Sequence, residues 1–236
     1  MDSLQQQAFD NRLILGAGAA ALTGILGFAT WLYRDYTAWI DFGTGGTPAN
    51  VSGYVRISKF RVLRAFPGDD LKDAPTLSQT GPRTYPRRFR AAKGSHLESL
   101  SAHYHSDTAY DRLHALPKKY ADQLSDALKL DKSVTEGRTT DAIYALPAHR
   151  HGAHDKVLGD EIAHVHPAEN SLHVWLTETD TYKVVSAGWG ERFPLASLGM
   201  VNAGWTFLYA PRNMEEVAVI EDIFKAGIGH LTGKRL

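Results

Sequence analysis

The sequence of 236 residues contains no cysteine. Disulfides, thiolate metal sites and a cysteine nucleophile are excluded together, and the redox compartment is left undetermined. Net charge is also missing, with 26 basic residues balanced by 26 acidic ones. A neutral chain lacks the electrostatic footprint of a nucleic-acid binder. Internal repeats and low-complexity segments do not occur either. Histidine, by contrast, is plentiful: eleven residues, ten of them gathered at 96–114, 149–154 and 164–173.

One long apolar run stands out. Leu13 to Tyr33 is 21 residues without a charge, and as a helix it spans about 30 Å, one hydrocarbon core. Its Gly and Ala content suits a membrane helix, and Trp31 and Tyr33 lie at the end where aromatic rings prefer the interface. A secretory signal has a shorter apolar region and a more basic start, whereas Asp2 and Asp10 here offset Arg12. We therefore read 1–34 as a permanent anchor. Gly53 to Phe66 carries Arg56, Lys59, Arg61 and Arg64 with no acid, while Val55, Val62, Leu63 and Phe66 share a helical face. That pattern suits a basic helix lying on an anionic leaflet, within a linker and interfacial segment over 35–66. The positive-inside bias then places the remaining domain, 67–236, in the cytosol. The sequon Asn50–Ser52 points the other way, being usable only on a lumenal face.

Between 67 and 95 the chain is turn-rich and carries the basic cluster Arg87, Arg88 and Arg90, read as a solvated loop. Ser95 to Glu98 is a capping box that opens a helix. A second helix is predicted from Pro117 to Leu130, with Tyr120, Leu124, Ala127 and Leu128 on one stripe. Asp141 to Leu146 reads as a strand. The stretches 161–166 and 171–176 alternate like strands, and turn chemistry between them makes a hairpin. A short helix follows, capped by Thr177 or Thr179 and stopped at Gly188. Next comes a strand with Trp205, Phe207 and Tyr209 on one face. The closing helix is opened by Asn213 and Glu216 and buries Val217, Ile220, Phe224 and Ile228. This order predicts an α+β fold, a small antiparallel sheet packed with helices, preceded by one N-terminal transmembrane helix.

The stretch DEIAHVHPAENSLHVWL, Asp160 to Leu176, holds Glu161, His164, His166 and His173 within thirteen residues. Side chains two apart on a strand share a face, so His164 and His166 should point with Ile162. Glu161 should point away from them unless a bulge intervenes, and register decides whether His173 joins them. Three readings stay open: imidazoles holding a divalent metal with open positions, histidines that move protons or orient a substrate, or histidines bonded within a polar core. A second stretch is GWGERFPL, Gly188 to Leu195. Its glycines would expose the Trp189 indole, and Glu191 and Arg192 beside it suit a flat, oxygenated ligand. The plainer reading is a helix stop followed by a surface ion pair. Tyr209 and Arg212 add a phenol and a guanidinium just before a helix N-terminus, or simply punctuate it.

Three of these stretches, EIAHVHPAENSLHVWL, AGWGERFPLA and WTFLYAPRNMEEVAVIEDIFKAGIGHLTG, resemble the luciferase-like family. The uncharged N-terminal run, RDYTAWIDFG and PANVSGY resemble its membrane-anchored fungal branch. The likeness covers most of the chain and is loose only from about 67 to 140. It implies a single-pass protein of the endoplasmic reticulum that adds molecular oxygen to an enolic pyrone such as 3-hydroxyhispidin. In the luminous members a cyclic peroxide forms, and loss of carbon dioxide leaves an excited product. An enol deprotonated in a dry pocket is electron-rich enough to meet oxygen directly. No cofactor is therefore expected beyond O2 as co-substrate, and a divalent metal is left open. The protein must supply a base and a fixed geometry. The resemblance puts His164 or His166 in the role of base, with His173 and Glu161 in the same catalytic set. It puts Trp189, Glu191 and Tyr209 along the pocket, and Arg192 or Arg212 on the anionic oxygens.

One departure matters. The family pattern has histidine after the arginine of GWGxR and then PLAG, whereas this chain has Phe193 and then PLAS. A related substrate could then be oxidised without light. Two rival readings remain. One is a non-oxidative tailoring enzyme (cyclase, isomerase or decarboxylase) using the same base and arginines. The other is a membrane-tethered binding module whose histidines are structural. The expected partners are a small pyrone or aromatic substrate and a membrane, with no nucleic acid.

Overall fold

The computed structural model describes residues 3–42, 47–65, 107–152, 154–167 and 170–236. The basic turn-rich stretch, the capping box at 95–98 and Phe66 lie outside the described residues. The chain divides into two compact units, one of residues 1–44 with 48–55, the other of residues 45–47 with 56–236.

In the first unit, helix α1 (Ser3–Phe42) runs through the apolar stretch and beyond it. The linker predicted to begin at residue 35 is helical instead, because DYTAWIDF contains neither glycine nor proline to stop it. Asp10–Asp41 is long and apolar enough to cross a membrane, and Ile14, Leu15, Ile25 and Phe28 are exposed along it. Past the apolar part the helix is pinned by Tyr54. The Tyr54 hydroxyl donates to Asp35 at 2.6 Å, and its ring meets Tyr36 edge-on and Trp39 at a tilt. Helix α2 (Val51–Ala65) starts after Asn50, whose side chain accepts the Gly53 N–H at 3.0 Å. Val55, Val62 and Leu63 are exposed on α2.

The second unit is built on six strands, β1 (Leu128–Lys132), β2 (Asp141–Ala145), β3 (Glu161–Val165), β4 (Leu172–Trp175), β5 (Gly190–Arg192) and β6 (Trp205–Leu208). They form one sheet in the order β1-β2-β3-β4-β6-β5, with every neighbouring pair antiparallel. Among the described residues, this unit also contains helices α3 (Asp107–Gln123), α4 (Glu178–Ser186), α5 (Pro194–Ser197) and α6 (Met214–Thr232). The fold is thus α+β, as the order of elements predicts. The helix predicted over 117–130 is displaced: α3 starts ten residues earlier, holds Pro117 inside, and ends at Gln123. Its buried stripe is Leu113, Leu116 and Tyr120. Residues 128–130, predicted as helix, instead begin edge strand β1. Only Leu128 is buried there, so the strand shows no period-two apolar signal.

Apolar burial explains where the helices sit. Val217, Ile220, Phe224 and Ile228 of α6 are fully buried, each contributing about 1.5–3 kcal/mol. Tyr120 of α3 stacks on Phe224 at 5.8 Å. Gly227 lets α6 approach the sheet closely: a Cβ there would meet Val174 Cγ1 at 2.6 Å and Ile162 Cγ2 at 3.3 Å. Helix α4 joins the same face, since Thr181 Oγ1 lies 3.0 Å from Thr206 Oγ1 and Thr206 pairs with Val174. Helices α3, α4 and α6 therefore lie on the Val174 face, and the adjacent strand residues project from the other one.

Candidate active site

A β-bulge sets the geometry. Ile143 pairs with Ala163 but Tyr144 pairs with Glu161, so Ile162 is the extra residue between them. A bulge re-aims the side chains on either side of it. Ile162 turns toward Gly227 and the helices, while Glu161 comes round to the side of His164, with Oε1 2.6 Å from its Nδ1. Strict alternation, which groups Ile162 with the histidines and sends Glu161 away, is corrected on both counts. Further along, His164 pairs directly with His173. Ring centroids of His164, His166 and His173 are 4.8 to 5.2 Å apart. One ring nitrogen from each lies within 4.8 Å of the others. The three residues are only 1%, 8% and 7% exposed.

Glu161 is fully buried and holds the centre of a hydrogen-bond network. Its Oε1 accepts from Ser133 Oγ at 2.8 Å and Thr135 Oγ1 at 2.9 Å, and Oε2 accepts from the Tyr144 hydroxyl at 2.9 Å. A carboxylate only accepts, so His164 donates from Nδ1 and its buried Nε2 is left facing Glu136. His166 Nδ1 bonds Ser171 Oγ at 2.7 Å across the β3–β4 hairpin, which likewise turns its Nε2 toward Glu136. Both Nε2 atoms face one carboxylate: Glu136 Oε2 lies 3.6 Å from each.

Glu136 was not among the residues singled out from sequence. It sits in the β1–β2 turn, whose backbone is closed by Arg138 N–H to Ser133 O at 2.7 Å and by Glu136 N–H to Ser133 Oγ at 3.0 Å. Gly137 and Arg138 take positive φ of 62° and 66°, which tightens the turn over the histidines. The signal was present as Ser133-x-x-Glu136 followed by glycine, a turn-forming pattern. Thr135 and Tyr144 carried no such signal.

Aromatic rings wall the site. Trp205 stacks on His173 with centroids 5.4 Å apart and planes 17° apart. Phe193 meets His173 edge-on at 4.7 Å, and Phe207 lies 5.5 Å from His173 and 6.0 Å from His166. Glu191 pairs with Phe207 in register and accepts from the Tyr209 hydroxyl, so these two polar groups stand at the far side of Phe207. The other expected pocket residues lie apart. Trp189 is 3% exposed and belongs to the hydrophobic core, correcting the expectation of an exposed indole. Its glycine neighbours end helix α4 and let β5 pack tightly, rather than opening the ring to solvent. Arg192 pairs with Thr206, which puts it on the helical side of the sheet by register. Arg212 is tied to Glu216 at the start of α6, through Nε at 2.7 Å and its backbone N–H at 2.8 Å.

Electrostatics separate the histidines. Burial, reinforced by the neighbouring His166 and His164, pushes His173 well below the usual histidine range. Burial also opposes charge on His164, but the Glu136 and Glu161 carboxylates outweigh it and its pKa is raised. For Glu161, burial favours the neutral acid, yet the bonds from His164, Ser133 and Thr135 prevail and its pKa is lowered. The cluster thus holds an oriented imidazole next to a neutral one.

A luciferase domain matches residues 159–227, from the approach to β3 into α6. Among curated proteins, the luciferase of Armillaria mellea is 33% identical over 91% of this chain and 86% of its own length. That of Armillaria ostoyae is 32% identical over the same shares. The chain belongs to the fungal luciferase family. The luciferase of Neonothopanus nambi is 48% identical over 75 residues, 30% of this chain. No solved structure matches the chain. The fungal luciferase segment takes in Glu161 and all three histidines and leaves Glu136 outside it.

Proposed function

We propose that this fungal luciferase family member is a membrane-anchored oxygenase that adds O2 to an enolic pyrone or aromatic polyketide resembling 3-hydroxyhispidin. The observation that carries the reading is the convergence of His164, His166 and His173 with Glu136 among aromatic rings, on the face of the sheet opposite helices α3, α4 and α6. A flat substrate fits against Trp205, Phe207 and Phe193. Its enol proton passes into the cluster formed by His164, His166 and Glu136, with Glu161 fixing the His164 ring. The resulting enolate, screened from water, is electron-rich enough to react with O2. Glu191 and Tyr209 line the edge of this slot.

Helix α1 serves as the anchor, its exposed apolar side chains covered by lipid. Basic residues of α2 favour the cytosolic leaflet of the endoplasmic reticulum. Phe193, in contact with His173 where the luminous family pattern has histidine, favours turnover with little or no light. The test uses detergent-solubilised chain and 3-hydroxyhispidin, in air and without oxygen, following oxygen uptake, photons and product mass. Oxygen uptake with loss of carbon dioxide is the expected result. Substrate turnover that proceeds equally without oxygen would replace this reading with a non-oxidative tailoring enzyme.

A further inference from the structure

We infer that His164, His166, His173 and Glu136 form a binding site for one divalent first-row metal ion. This goes beyond the proposed reaction by changing what the imidazoles do: they become ligands, and Glu136 becomes the group that handles the proton.

Three observations converge on it. First, the donors already surround one point: a ring nitrogen from each histidine within 4.8 Å of the others, and Glu136 Oε2 at 3.6 Å from two of them. Donors held about 2.1 Å from a metal stand about 3.0–3.4 Å from one another, so each need move inward by less than about 1 Å. Second, the nitrogens that face inward have no better use. His164 Nε2 and His173 Nδ1 are buried and have no hydrogen-bond partner among the described residues. A buried polar atom left in that condition costs free energy unless something binds it. Third, the opposite nitrogens are anchored as ligand histidines usually are. His164 Nδ1 is held by the buried Glu161 carboxylate, and His166 Nδ1 lies against Ser171 Oγ. General acid–base work would call for one such oriented imidazole; three facing one point with a carboxylate opposite is a ligand set.

The set N3O, with one negative charge and no sulfur, suits iron(II), manganese(II), cobalt(II), nickel(II) or zinc(II). It also suits a substrate whose enol oxygen lies next to a carbonyl, because the two oxygens can chelate one ion. On binding, the enol oxygen takes the position held by Glu136, and the freed carboxylate accepts the enol proton. One proton moves from oxygen to oxygen, and no electron is transferred in that step. This last part rests on the proposed reaction; the metal site does not.

Cobalt(II) is the probe of choice, since its visible bands report coordination directly. The full chain, untagged, in detergent and stripped with a chelator, is titrated with cobalt(II). The expected result is one cobalt per chain with ligand-field bands of a four- or five-coordinate site. His166→Gln and His173→Gln should abolish those bands, Glu136→Gln should weaken binding at least about tenfold, and His230→Gln should leave it unchanged. Glu136 lies in a surface turn, so its variant remains informative if a histidine variant fails to fold. Absence of stoichiometric cobalt, or undiminished binding in Glu136→Gln and His166→Gln, would overturn the inference. Oxidation of 3-hydroxyhispidin at full rate by the stripped chain would overturn the exchange of the enol oxygen for Glu136 on the ion, while leaving both the site and the proposed reaction intact. A chain that loads cobalt as expected but consumes no oxygen when loaded with iron(II) would support the site and count against the reaction.

Discussion

A carboxylate with no exposed surface stays ionised only where donors surround it, and Glu161 has Ser133, Thr135, Tyr144 and His164 around it. Glu161→Gln keeps the shape but turns an NH2 toward groups that donate. The expected loss is about 2–4 kcal/mol of stability, read from the urea midpoint, with at least a tenfold fall in oxygen uptake by the folded fraction. Phe193 offers a second test at this scale. Its ring lies edge-on to His173, so Phe193→His places a fourth imidazole beside the cluster. We expect more photons per oxygen consumed; an unchanged ratio would separate position 193 from light emission. These residues were unequally legible. The histidines announced themselves by alternation and a hairpin turn. The orientation of Glu161 depended on a bulge that alternation does not reveal, and Glu136 entered through a turn far away in sequence.

Element packing carries its own tests. Helix α6 lies against β3 and β4 through Gly227, where an added Cβ would meet Val174 and Ile162. Gly227→Ala gains up to about 1 kcal/mol of helix propensity, but overpacking of about 1–3 kcal/mol should prevail. A lowered melting temperature is expected, and a raised one would contradict the close approach. Between α3 and α6, Glu221 receives Arg112 at 2.7 Å, the Tyr120 hydroxyl at 2.7 Å, and Lys119. Burial opposes its charge, yet these partners hold its pKa at about 2 instead of 4.5. The stabilisation, on the order of 2–3 kcal/mol, is complete above the unfolded value and lost as pH falls. Between pH 4.5 and about 2, wild type should lose more stability than Glu221→Gln in parallel denaturant titrations. At this scale the sequence was informative where period and caps agreed. Helix α6 had both, with Asn213 accepting the Glu216 N–H at 2.9 Å. Strands β1 and β5 had neither: one is an edge with a single buried residue, the other three residues long.

At the scale of the whole molecule, an apolar helix and a small α+β domain were both legible, because a 21-residue uncharged run and a helix-strand order need no long-range information. What the sequence could not supply was the pairing of β1–β2 with β3, which brings Glu136 over the histidines. The proposed reaction joins O2 to an enolic substrate. The most direct measurement is turnover of 3-hydroxyhispidin by the full chain under 18O2, followed by mass spectrometry of the organic product. Labelled oxygen is expected in that product, and none when Glu136 and His166 are both replaced by Gln. An unlabelled product, formed at the same rate under nitrogen, would contradict it.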